Sequence, residues 1–128
     1  MKYALFDYVT NKGINDFKIW TEKLQKIQRA KLNIRLDMLE NKGFDLFPQI
    51  LTGTDTAGIQ KLRVPGKVQL RPMVCKGPIN IENEFTLLIG AIEKQDKLQP
   101  KKADQIADKR RKDVITDEKR RTKHERIS

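Results

Sequence analysis

The chain has 128 residues and carries 27 lysines and arginines against 17 aspartates and glutamates, a net charge of +10. This length suits one domain, and 38% apolar with 34% charged residues predict a modest core beneath a large charged surface. The single cysteine, Cys75, excludes an intramolecular disulfide, and the single histidine, His124, excludes the usual zinc sites, whereas a Mg²⁺ site made of carboxylates stays open.

The amino terminus carries no predicted targeting segment, because Asp7 interrupts its apolar side chains well before they reach the length of a signal-peptide core. No stretch approaches the ~20 apolar residues that a membrane helix needs. We therefore expect a cytoplasmic protein without a membrane partner. Its positive charge favours nucleic acid as the partner, ahead of an acidic protein.

The first half of the chain predicts one strand and two helices. Weak alternation over residues 3–9 indicates a short strand. Asn15 is the expected N-cap of the helical pattern that follows. Because residues 15–42 span 28 positions, longer than an ordinary globular helix, we expect a break near residues 24–26. The glycines, proline and threonines of residues 43–58 predict an irregular connection.

Three further segments, residues 59–64, 68–76 and 84–92, have the composition of strands. The first two are joined by a tight turn at Pro65-Gly66, and the next connection is a short loop. Connections of this length join antiparallel neighbours. Pro72 has no N–H to donate to a ladder, so we expect a bulge or a free edge there.

The carboxyl-terminal part turns helical again after Pro100. Residues 101–128 hold eleven basic and six acidic residues. The only apolar side chain after residue 115 is Ile127, so we expect the last dozen residues to form a frayed helix or a disordered basic tail. The expected organisation is therefore one domain over residues 1–115 and a basic tail over residues 116–128.

A surface patch with only positive charges is predicted on the sheet, because residues 56–81 contain no acidic residue. Alternation puts Lys61 and Arg63 on one face, and the tight turn can carry Arg71 back beside them. Such a surface can hold phosphate. The alternative is a set of solvated cations that protect an exposed sheet from aggregation. The cations of this segment are Lys61, Arg63, Lys67, Arg71 and Lys76.

Three pieces of the chain are NDFKIWTEKLQKIQRAKLNIRLDMLENKG, IQKLRVPGKVQLRPM and LLIGAIEKQDKLQPKKADQIADKRR. They resemble, in this order, the helical hairpin, the strand-turn-strand segment and the last strand with closing helix of the RelE superfamily. These are small bacterial and phage toxins, and the likeness is nearest to the HigB-like and phage-derived branches. Together the pieces cover most of residues 3–114.

The resemblance implies an α+β fold, in which an N-terminal helical hairpin packs on a small antiparallel β-sheet and a C-terminal helix follows. It also implies the toxin of a type II toxin-antitoxin system. Such a toxin is a ribosome-dependent mRNA endonuclease that works without a metal or other cofactor and is neutralised by a cognate antitoxin protein.

By position, Lys61 and Arg63 match the basic residues before the turn of the family, and Arg71 matches the arginine after it. Lys94 and Lys97 match the cations that follow the last strand. Members often carry a tyrosine or histidine near the end of that strand, and this chain has neither between residues 92 and 114.

Metal-free RNA cleavage needs a base for the 2′-hydroxyl, cations for the charged phosphorane and an acid for the 5′-oxygen. The expected catalytic group has Lys61 or Glu93 as the base, Arg71 beside the phosphorane and Lys94 as the acid. The remaining cations are expected to bind RNA; they are Arg63, Lys67, Lys76, Lys97, Lys101 and Lys102.

Two other functions stay open. One is a protein of the same fold that binds RNA or a partner without cutting, which the missing tyrosine and histidine favour. The other is a ParE-like inhibitor of DNA gyrase, a relative that uses the fold to bind protein. The basic cluster of catalytic type makes this second alternative less attractive.

Overall fold

The computed structural model describes residues 2–128, which form nine strands and three α-helices. The helices are α1 (Asp16–Lys23), α2 (Lys26–Lys42) and α3 (Ala103–Thr116). Short 3-10 helices cover Gly43–Leu46 and Glu118–Arg120. The strands are β1 (Ala4–Tyr8), β2 (Leu51–Gly53), β3 (Gln60–Leu62), β4 (Gln69–Leu70), β5 (Met73–Lys76), β6 (Glu84–Ile89), β7 (Ile92–Lys94), β8 (Lys97–Gln99) and β9 (Arg121–Lys123).

Six strands form one sheet in the order β2-β3-β5-β6-β1-β9, and β4, β7 and β8 form a second sheet. β1 lies parallel to β6, and the other strand pairs are antiparallel. The predicted α+β class is confirmed. The predicted antiparallel sheet needs correction at the β1–β6 pair. The connection between these two strands runs through α1, α2 and β2 to β5 and is long enough for the chain to return in the same direction.

The six-stranded sheet has a hydrophobic core on each face. β6 is buried along its whole length, and its adjacent residues Leu87 and Leu88 point to opposite faces. Leu87 shares a core with Phe17 of α1 and Leu36 of α2. Leu88 shares the second core with Ala107 of α3. The helices therefore cover both faces of the central strands.

The helical segment of the first half divides as predicted. α1 ends at Lys23 and α2 begins at Lys26. Asn15 caps α1, and its side chain accepts a hydrogen bond from the backbone N–H of Lys18 at 2.9 Å. The region predicted to be irregular contains β2, a strand of three residues that pairs only with β3 and is too short to show a pattern.

The segments predicted as single strands, residues 68–76 and 84–92, each form two strands that belong to different sheets. The chain crosses between the sheets at Pro72, which has no N–H to continue a ladder, and at Gly90. Gly90 packs against Trp20 so closely that a Cβ there would lie 2.0 Å from the indole ring. These crossings place β4 and β7 side by side.

The prediction of a frayed or disordered carboxyl-terminal tail is wrong. β9 extends the six-stranded sheet beside β1, and the His124 N–H donates to the Leu5 carbonyl at 2.9 Å. Arg121 pairs with the buried Glu84, and His124 Nδ1 lies 2.8 Å from Oδ1 of the buried Asp7. Hydrogen bonds and ion pairs hold this segment, so its lack of apolar residues was a poor guide to its order.

Candidate active site

Lys61, Arg71 and Glu93 converge where the two sheets meet. Lys61 comes from β3, Arg71 follows β4, and Glu93 lies in β7. Lys61 Nζ is 3.9 Å from Glu93 Oε1, and Arg71 Nη2 is 3.8 Å from Glu93 Oε2. Each carboxylate oxygen therefore faces one cation. We call these three residues the Glu93 cluster.

Arg71 is held in place by the protein and is only 4% exposed. It donates to the Leu70 carbonyl at 2.9 Å and to the Gln69 side-chain oxygen. Burial lowers the pKa of the Arg71 guanidinium, while the charge of Glu93 opposes this shift and that of Arg63 adds to it. A cation fixed in a dry site interacts strongly with nearby negative charge and needs no reorganisation to do so.

A groove of about 640 Å³ adjoins the cluster along the β7–β8 hairpin. The hairpin turn is Gln95-Asp96, and both residues have positive φ, as a two-residue type I′ turn requires. The register puts Lys94 directly opposite Lys97. Like charges in this position repel each other, and a bound anion relieves that repulsion. We call this the hairpin groove; it is lined by Lys67, Gln69, Glu93, Lys94, Asp96 and Lys97, among others.

Six of the predicted site residues thus lie in the Glu93 cluster or the hairpin groove: Lys61, Lys67, Arg71, Glu93, Lys94 and Lys97. Arg63 is exposed at the margin of the cluster and is close enough to influence Arg71. Its guanidinium donates to the Gln49 carbonyl at 3.5 Å.

Three predicted RNA-binding residues lie elsewhere. Lys76 ends β5, with Nζ 5.6 Å from the centre of the Phe44 ring, because the crossing at Pro72 carries it away from Arg71 into the other sheet. Lys101 and Lys102 line a separate groove beside α3. The assumption that all these cations share one patch therefore needs correction.

Sequence reasoning missed Gln69, which lies opposite Glu93 in the β4–β7 pair and accepts a hydrogen bond from Arg71. β4 has only two residues, so no periodicity could have revealed the pairing. Reasoning from the sequence also missed the contributions of Tyr8, Lys109 and Arg120 to the second groove. Those residues are far apart in the chain and no motif connects them.

The site contains groups suited to phosphate chemistry without histidine. A carboxylate can accept a proton, a buried guanidinium can stabilise negative charge on phosphorus, and a lysine can donate a proton. No histidine or tyrosine of the described chain lines the hairpin groove, and His124 pairs with Asp7 instead. Within residues 2–128, no three or more His, Cys, Asp or Glu side chains gather in a way that could hold a metal ion.

No family model, curated protein or solved structure matches this chain. None of the helices described by the structure is long and apolar enough to cross a bilayer.

Proposed function

We propose that this protein is a RelE/HigB-like toxin that cleaves mRNA on the ribosome, in the cytoplasm, and is neutralised by a cognate antitoxin. The observation that carries the proposal is the position of Glu93, which lies between Lys61 and Arg71 and lines a groove that contains three lysines. The three sequence pieces that resemble the RelE superfamily give the same function. A polyanion that follows the lysines of the groove brings a phosphate to this cluster.

In the proposed reaction, Glu93 or Lys61 takes the proton of the 2′-hydroxyl, and the 2′-oxygen attacks the adjacent phosphorus. Arg71 stabilises the charge that develops on the phosphorane oxygens. The bond from phosphorus to the 5′-oxygen then breaks, and Lys94 protonates the leaving oxygen. The products are an upstream fragment with a 2′,3′-cyclic phosphate and a downstream fragment with a 5′-hydroxyl.

The test uses purified protein with ribosomes that translate a defined message, and primer extension maps the cuts. We expect whichever of Lys61→Ala and Glu93→Gln removes the base to lower the cleavage rate by about a hundred-fold or more, the range of a lost proton-transfer group, and the other to lower it less. Lys76→Ala is the matched control, since it removes a cation that lies outside the cluster. Arg71 is a poor first target because its burial confounds activity with folding.

Two outcomes decide the chemistry. Replacing the 2′-hydroxyl by hydrogen at the cut position should abolish cleavage but keep binding, because the nucleophile is lost while the phosphate contacts remain. Cleavage that survives this replacement, or that is equal in Lys61→Ala, Glu93→Gln and the unchanged protein, would refute the mechanism.

The second candidate is a protein of the same fold that binds RNA without cutting it. The observation in its favour is the lining of the hairpin groove, which has lysines, glutamines and carboxylates but no histidine or tyrosine. If the unchanged protein leaves every translated message intact while it binds RNA, this candidate replaces the first.

A further inference from the structure

A second groove, of about 820 Å³, lies between the end of β1 and α3. We call it the Tyr8 groove. It has five cationic side chains and one acidic side chain: Lys101, Lys102, Lys109, Arg110, Arg120 and Asp113. They come from the β8–α3 connection, from α3 and from the segment after it, so the fold, and not a run of sequence, collects them.

The two arginines form the fixed part of the groove. The Arg110 and Arg120 guanidinium carbons lie 4.9 and 5.3 Å from the centre of the Tyr8 ring. Arg120 Nε donates to the Val9 carbonyl at 3.0 Å. The Tyr8 hydroxyl donates to Asp113 at 2.8 Å, and Arg120 also pairs with Asp113. The one carboxylate of the groove is therefore already engaged.

The three lysines are the available part. Lys101, Lys102 and Lys109 are exposed, and none forms an ion pair with another residue of the described chain. Cations gathered on a concave surface produce a positive potential that attracts an anion. Tyr8 is only 3% exposed beneath the arginines, so its ring offers no face on which a base can stack. The groove thus suits phosphate groups and not bases.

We propose that the Tyr8 groove is a sequence-independent binding site for the backbone phosphates of RNA, separate from the Glu93 cluster. This rests on the proposed function only in taking RNA as the polyanion. The two grooves are joined by β8, since Lys97 begins that strand and Lys101 lies two residues beyond its end. Four residues of chain reach at most about 14 Å, so Lys97 of the hairpin groove and Lys101 of the Tyr8 groove lie within that distance of each other.

The experiment measures binding of a fluorescein-labelled 2′-O-methyl RNA of about 15 nucleotides by anisotropy across a salt series. This probe lacks the free 2′-hydroxyl, so binding is read independently of cleavage. The test variant is Lys101→Ala/Lys109→Ala. The matched control is Lys18→Ala/Lys23→Ala, which removes the same charge from exposed positions of α1 outside the groove. Thermal melts verify that both variants are folded.

We expect the test variant to bind about ten-fold more weakly at about 0.15 M salt and to lower the slope of log K against log salt by about 1.4, because each single-strand phosphate contact contributes about 0.7. The control should change both values much less. Equal effects in the two variants, or no binding by the unchanged protein at low salt, would overturn the proposal.

Two comparisons separate this proposal from its alternatives. Poly-glutamate of equal charge should compete poorly, and competition as strong as that of RNA would overturn the proposal in favour of an acidic protein. If messages are cut but the test variant binds RNA normally, the proposed RNA site in the Tyr8 groove is refuted and the nuclease function is supported. If no message is cut and the test variant binds RNA weakly, the RNA site is supported and the nuclease function is refuted.

Discussion

Arg71 and Lys61 contact the same carboxylate but differ in how deeply they are buried, and therefore in what their removal costs in stability. The Arg71 side chain is 5% exposed and held by backbone and side-chain acceptors, whereas that of Lys61 is 28% exposed. Removing the buried Arg71 side chain would leave a cavity, which is costly. Removing Lys61 from a partly exposed ion pair costs little stability. A loss of activity in a Lys61 variant can therefore be assigned to the reaction.

Glu93 and Arg71 could be selected from the sequence because each follows a recognisable strand or turn. Their contact could not, since it depends on the crossing at Pro72 and on the two-residue strand β4. The patch with only positive charges that the sequence predicts is also incomplete. The fold brings the carboxylate of Glu93 from a later strand among Lys61, Arg63 and Arg71.

Cys75 gives a prediction on pH. Burial raises the pKa of its thiol from 9.0 to about 12. Between these values the unfolded chain loses a proton that the folded chain keeps, so stability falls as pH rises above about 9. Relative to Cys75→Ala, the unchanged protein should lose about 1 kcal/mol between pH 8 and pH 10. Urea unfolding at both pH values measures this difference, and identical pH dependence would contradict it.

At the scale of secondary-structure elements, the length of a helix or strand determined whether it could be predicted from the sequence. The helical spacing of apolar residues and the capping signal of Asn15 predicted α1 and α2, and the length of the segment predicted the break between them. β2, β4 and β9 have two or three residues each, too few for alternation to be visible. The two long segments predicted as single strands are each divided between the two sheets. Periodicity could not predict this, because it does not show that a strand changes sheet at Pro72 or Gly90.

Gly90 gives the prediction for the crossing. A Cβ at this position would lie 2.0 to 2.4 Å from Trp20 ring atoms, so Gly90→Ala must displace the indole. We expect a loss of about 2 kcal/mol in the free energy of unfolding, as for overpacked cores, and a changed tryptophan fluorescence. Gly53→Ala is the control because its Cβ would meet no atom within 4 Å. Urea unfolding compares the two, and equal stability would refute the close contact.

At the scale of the whole molecule, the net charge of +10 is distributed between two kinds of cation. Some, such as Arg121 and Arg110, pair with carboxylates and connect distant parts of the chain. Others, such as Lys101 and Lys109, have no such pair among residues 2–128 and line a groove. Composition gave the total charge correctly but could not separate structural cations from those available to a ligand, because the separation depends on contacts between distant residues.

The segment that follows α3 belongs to the structural kind. β9 covers the outer side of β1. Arg121 of this strand pairs with Glu84, and the imidazole of His124, the residue after the strand, contacts Asp7. Asp7 and Glu84 are 2% and 4% exposed. A carboxylate buried without a partner is strongly destabilising. The charge of this segment therefore contributes to folding, in contrast to the role of a loose basic tail.

Deleting residues 121–128 should lower the free energy of unfolding by about 3 kcal/mol or more, because the deletion removes the buried Arg121–Glu84 ion pair and the hydrogen bonds between β9 and β1. The control is Arg126→Ala, whose exposed pair with Asp37 should contribute less than about 1 kcal/mol. Adding Asp7→Asn and Glu84→Gln to the truncated chain should recover part of the loss if buried charge is its cause. Urea unfolding monitored by circular dichroism measures all three variants, and a truncated chain as stable as the full one would show that β9 does not hold the sheet.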